Sequence, residues 1–169
     1  LIESLDYIDV EEVNPYTNPE TQNVDLLIIR YLPRGKQKKT FAQAYQTDKG
    51  FVKRRPAGLL PLFNRGRIKE CDTVFFVEGE KCAQRLQDVI NDVSKVKEKA
   101  YLKKYAVTTV YDSLDASSKH YINQLSGKTI IILPDNDKTG FTKAEKIEFA
   151  LSKYCRVTTI TPDKFNLKD

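Results

Sequence analysis

Two short apolar runs, each ending in acid, constrain this chain more than any other feature. Thr129–Leu133 reads T-I-I-I-L, and Pro134, Asp135, Asn136 and Asp137 follow it directly. Thr73–Val77 reads T-V-F-F-V and runs into Glu78, Gly79 and Glu80. Short, β-branched, apolar runs of this kind are strands buried on both faces of a sheet. From Asp72 onward such runs alternate with helical patterns, which predicts βαβ units and a parallel sheet. Ligands of open α/β sheets sit outside the carboxyl ends of the strands, where both runs deliver carboxylates.

The rest of this half is read the same way. A helix is predicted from Glu80, with Ala83, Leu86, Val89, Ile90, Val93 and Val96 as its apolar face and Cys82 packing as a small hydrophobe. Strand 106–110, a helix over 116–125 stopped by Gly127, strand 129–133, a helix over 140–154 and strand 156–160 follow. The fold class is therefore α/β: a four-stranded parallel sheet flanked by helices, its first and third strands adjacent. Adjacency is what brings Glu78 near Asp135. Carboxylates sharing one crevice repel one another unless a cation neutralises them, and hard oxygen ligands suit Mg²⁺ or Mn²⁺. The competing reading makes Glu78 and Asp135 strand-end caps, turn formers or ion-pair partners of Lys81 and Lys138.

The preceding residues differ in charge. Residues 1–25 hold seven acids and no Lys or Arg, and with Asn14, Pro15, Asn18 and Pro19 they read as a strand-poor, turn-rich leading segment. Between Leu26 and Glu70 there are twelve Lys or Arg against two acids. Strands at 24–32, 39–46 and 51–53, with a turn at Asp48-Lys49-Gly50, make residues 26–71 a small, basic, antiparallel β-rich subdomain. Basic residues interleaved with Tyr31, Phe41, Tyr45, Phe51 and Phe63 suit a surface that tracks phosphates and stacks bases. Arg30, Lys53, Arg54, Arg55, Arg65 and Arg67 are the candidates there; Lys81, Lys138 and Lys143 are candidates beside the acids. The alternative is a solvated sheet whose aromatics face a core.

V-E-G-E-K at 77–81 and, after it, I-L-P-D-N-D-K-T-G at 132–140 resemble the Toprim domain of primases, topoisomerases and some nucleases. The resemblance covers residues 72–169. A weaker one, through R-Y-L-P-R-G-K, K-R-R-P-A-G and L-P-L-F-N-R, is to the segment before Toprim in phage and plasmid primases. It implies Glu78 as acid/base or metal ligand, Asp135 and Asp137 as Mg²⁺ ligands, and Asp169 as the start of a further acidic cluster. It also implies the catalytic core of a DNA primase, making RNA primers from ribonucleoside triphosphates on single-stranded DNA. An upstream zinc-binding module and a replicative helicase, fused or separate, belong to that picture, with this chain as a C-terminally truncated fragment. Cys82 stands where many primases carry Asp, so either one ligand is missing or Glu80 substitutes for it. A Toprim nuclease, or a non-catalytic nucleic-acid-binding module, are the other readings.

Three widely spaced cysteines and one histidine argue against a disulfide framework, a zinc site or a His-based triad. No apolar run approaches membrane-spanning length, and no signal peptide is visible, so a cytoplasmic protein is expected.

Overall fold

The computed structural model describes residues 10–32, 40–57, 60–109 and 119–161. The chain divides into two compact units, Leu1–Pro61 and Leu62–Asp169.

In the first unit, β1 (Val10–Thr17), β2 (Val24–Tyr31), β3 (Thr40–Thr47) and β4 (Gly50–Val52) form an antiparallel sheet in sequence order. Leu27, Ile29 and Ala44 are its buried centre, with Val13, Tyr31, Ala42 and Phe51 packed around them. Strand β1 corrects the strand-poor reading of residues 1–25. Pro15 falls inside it opposite Leu27, and proline is tolerated because β1 is an edge strand. The acidity of this segment also has a use: Glu11 pairs with Arg30 at 2.9 Å. At the expected β3–β4 turn, Gly50 takes φ of 105°, a left-handed conformation that glycine adopts without penalty.

The second unit starts earlier than the charge pattern indicated. Leu62, Ile68 and Cys71 are buried in its core, so α1 (Arg65–Glu70) belongs with the parallel sheet and not with the basic strands. The unit continues as β5 (Thr73–Phe76), α2 (Glu80–Ser94), a 3-10 stretch (Lys97–Lys104), β6 (Tyr105–Thr108), α3 (Lys119–Leu125), β7 (Thr129–Ile132), α4 (Lys138–Leu151) and β8 (Arg156–Thr159). All four strands are parallel, in the order β6-β5-β7-β8. The acid-bearing strands β5 and β7 are neighbours, with Phe76 in register with Ile132. Val74, Phe76, Ile130 and Ile132 are fully buried, while the alternate residues are only partly covered. Each such side chain contributes roughly 1.5–3 kcal/mol by leaving water.

The buried stripe of α2 is Glu80, Ala83, Gln87, Ile90 and Ser94, at helical spacing, and three of its members are polar. Gln87 is inside because its Oε1 accepts the Val107 N–H on the free edge of β6, at 3.0 Å. That edge is otherwise closed by Phe63 N–H, Asn64 Nδ2 and Arg67 Nε, which donate to the carbonyls of Thr109, Val107 and Tyr105. Covering an edge strand in this way blocks pairing with other chains. Val89, Val96 and Cys82, assigned to the packed face from sequence, are exposed. None of the three cysteines is in a disulfide. Val110 and the start of the helix expected over 116–125 lie outside the described residues.

Candidate catalytic site

Glu78 and Asp135 leave the sheet from neighbouring strands just beyond their last paired residues. The ladder carries on past the strand ends, through Leu133 N–H to Phe76 O at 2.8 Å and Val77 N–H to Thr108 O at 3.1 Å. This holds both exits in register and sets the Asp135 carboxyl close enough to act on that of Glu78. Burial pushes the Glu78 pKa up, and the hydrogen bond and charge of Asp135 push it further; the Lys143 charge opposes them. Glu78 Oε2 is buried and has no hydrogen-bond partner.

Asp137 behaves differently. It is the N-cap of α4: its Oδ1 accepts the Gly140 N–H at 2.8 Å, and its own N–H donates to Asp135 O at 2.8 Å. Asp at an N-cap contributes typically about 1 kcal/mol to helix stability. Its charge still adds to the upward push on Glu78. The expected three-carboxylate cluster is thus a pair with a capping residue beside it. Among the described residues no group of three His, Cys, Asp or Glu side chains converges on a metal position. Glu80 is buried at the first turn of α2, and Asp169 lies outside the described residues.

The pair still fits a divalent cation. Mg²⁺ is commonly held by one or two carboxylates, with waters and substrate phosphates completing its shell. A buried carboxylate oxygen without a donor is the group a cation would satisfy. The crevice around it is lined by Phe76, Ile132, Pro134 and Ala144, with Glu78 and Lys143 as its charged members. Gly140 also lines it, and for a steric reason: a Cβ there would lie 2.5 Å from Asp135 O and 2.9 Å from Asp135 N. Helix α4 therefore comes against the Asp135 backbone only because this residue is glycine. Gly79, by contrast, has nothing within 4 Å of a Cβ position.

The basic candidates separate by unit. In the first, Lys53, Arg54 and Arg55 are exposed; Lys53 Nζ sits 4.9 Å from the Tyr31 ring centroid, and Arg54 donates twice to Tyr45 Oη, at 2.9 and 2.7 Å. Arg30 is committed to Glu11 and stacks over Phe41 at 5.8 Å. In the second unit, Arg65 opens α1 and Arg67 is spent on the Tyr105 carbonyl. Lys81 and Lys138 are exposed, in the first turns of α2 and α4. Thr109 and Lys143 both donate to the Glu78 main-chain carbonyl, a tether that residue spacing does not reveal.

No protein-family model and no curated protein matches this sequence. Solved structures do. The primase fragment of the bacteriophage T7 primase-helicase superposes with a TM-score of 0.54 at 17% identity, over 89% of this chain and 53% of that one. The fold resembles that of this fragment. The chain spans about half of that fragment's length. A DNA primase domain from Pseudomonas aeruginosa is also similar, with a TM-score of 0.46 at 13% identity over 87% of this chain and 48% of the other. At such identity the likeness is one of fold, and the chemistry rests on the side chains.

Proposed function

We propose that this chain is the catalytic core of a DNA primase, its second unit a Toprim domain, joining ribonucleotides on a single-stranded DNA template. The observation that carries the reading is the carboxyl pair Glu78 and Asp135, set side by side at adjacent parallel strand ends with one buried oxygen unpartnered. The resemblance to a primase fold lends it support. Glu78 and Asp135 would hold Mg²⁺ or Mn²⁺, which when bound activates the attacking hydroxyl and stabilises the leaving phosphate oxygen. Asp137 keeps the start of α4 in place, and Lys138 and Lys81 are exposed to meet phosphates. Lys53, Arg54 and Arg55 are the template contacts of the first unit; Arg30 and Arg67 drop out of that set because each already holds the fold.

The test is incorporation of labelled ribonucleotides on single-stranded DNA. Extension that depends on template and divalent cation, and stops with chelator, is the expected result. Cleavage without incorporation would indicate a nuclease. Binding without turnover would indicate a non-catalytic module, a reading that the capping role of Asp137 favours.

The template surface has its own signature. Arg54→Ala with Arg55→Ala should flatten the log–log salt dependence of single-stranded DNA binding by about 1.4, or roughly 0.7 for each phosphate no longer neutralised. Both side chains are exposed, so losing the Arg54 bonds to Tyr45 Oη should lower stability only modestly, by about 1 kcal/mol. A binding-against-salt titration of both proteins measures it; an unchanged slope moves the surface elsewhere.

A further inference from the structure

The Glu78 main-chain carbonyl is held by two donors from separate elements. Thr109 Oγ1, just beyond β6, donates to it at 3.0 Å, and Lys143 Nζ, on α4, donates at 3.2 Å. Thr109 is completely buried, and the preceding residue, Thr108, accepts the Val77 N–H. The turn that carries Glu78 out of β5 is thereby tied to the end of β6 and to the helix after β7. A carbonyl at a strand exit needs one partner, and water can supply it. A buried hydroxyl and an ammonium together exceed that need. Ordering a lysine side chain costs up to about 2 kcal/mol of rotamer freedom, so its fixed bond calls for an explanation beyond saturation of one acceptor. Donation from an ionised group is roughly twice as strong as a neutral hydrogen bond, which makes Lys143 an effective clamp. Lys143 also lines the same crevice as Glu78, so the clamp sits beside the carboxyl that it orients.

We propose that Lys143, together with Thr109, is a positioning residue: it fixes the Glu78 peptide so that the carboxyl meets Asp135, and it does not itself touch substrate. This rests on the reading of Glu78 and Asp135 as a cation-holding pair. Groups that orient a metal ligand from behind are worth tenfold to a hundredfold in affinity when removed. The rival role for Lys143 is a direct contact to substrate phosphate.

Lys143→Met, Lys143→Arg and Thr109→Val decide it, read by Mn²⁺ affinity from the electron paramagnetic resonance of free Mn²⁺. Lys143→Met should weaken Mn²⁺ binding by roughly tenfold or more, Thr109→Val by a comparable factor, and the double variant by less than their product. Lys143→Arg, which keeps the charge and a donor, should recover most of the loss. In priming assays kcat should fall while the KM for nucleotide stays put. A raised KM with wild-type Mn²⁺ affinity would make Lys143 a phosphate contact and overturn the proposal. So would lowered melting temperature with unchanged Mn²⁺ affinity. If the wild type binds no Mn²⁺, the functional reading fails by itself; amide hydrogen exchange over residues 77–80 then decides the tether. Faster exchange in both Lys143→Met and Thr109→Val supports it, and unchanged exchange refutes it.

Discussion

Asp135→Asn should abolish nucleotidyl transfer while leaving the metal-free protein as stable as the wild type or slightly more so. The change keeps shape and removes one negative charge. Glu78 has its pKa raised by burial first and then by the hydrogen bond and charge of Asp135. A carboxyl whose folded pKa exceeds its unfolded value binds more protons when folded. The associated stability is full at low pH and declines as pH rises from about 4.3, the unfolded value, through the folded pKa. Asp135→Asn takes the neighbouring charge out of these upward pushes, so the decline should shrink and the variant should gain on the wild type above that window. Cation binding reverses the ranking. At a Mg²⁺ concentration a hundredfold above Kd the wild type gains about 2.7 kcal/mol, which is several degrees in Tm, and the amide variant gains much less. Melting curves from pH 4 to 8, with and without Mg²⁺, beside a priming assay, check all of this. A destabilised variant with normal specific activity would show that Asp135 is a turn residue and nothing more.

The parts of the fold that were legible in the sequence are those where one physical rule acted alone. Thr73–Phe76 and Thr129–Ile132 are β-branched or aromatic, apolar and short, so the strands, their parallel pairing and the delivery of Glu78 and Asp135 to one sheet edge could be read directly. Readings failed where two rules competed. Asn14 and Pro15 signal turns, yet Pro15 sits in an edge strand that does not need its missing N–H. Gln87 and Ser94 look like surface residues, yet they are buried because their side chains satisfy backbone groups that apolar residues would leave unpaired. Val89 and Val96 are exposed for the complementary reason: the stripe they belong to by hydropathy is not the stripe that faces the sheet. At the site, Asp137 carried a readable signal in the other direction. An Asp three residues before Gly140, at the start of an amphipathic run, is an N-cap by local chemistry before it is a metal ligand. Proximity of helix to backbone has no local signature at all, and Gly140 is the residue that depends on it.

Gly140→Ala should therefore be the most damaging small substitution in this region, although local propensity points the other way. Gly140 lies inside α4 with no positive φ, where alanine would be favoured by about 1 kcal/mol. Against that, the added methyl carbon would stand 2.5 Å from Asp135 O and 2.9 Å from Asp135 N. Those atoms are backbone at a strand exit, held by the ladder between β5 and β7 and by the Asp137 N–H, so they have little freedom to retreat. Overpacking of this kind costs typically about 1–3 kcal/mol, which exceeds the propensity gain. The chain relieves the contact by moving α4 or by moving Asp135. The first breaks the Asp137 cap, and the second separates Asp135 from Glu78; both are expected to weaken Mn²⁺ binding by at least roughly tenfold, as removal of ligand support does. Gly79→Ala is the control. Its Cβ would meet nothing within 4 Å, and at an extended N-cap with φ of −146° only a weak capping preference is lost, within about 1 kcal/mol. Melting temperature and Mn²⁺ affinity measured on both variants separate close approach from a general intolerance of change. Equal Tm values for Gly140→Ala and the wild type would mean that α4 does not rest against Asp135, and the geometry assigned to the carboxyl pair would fall with it.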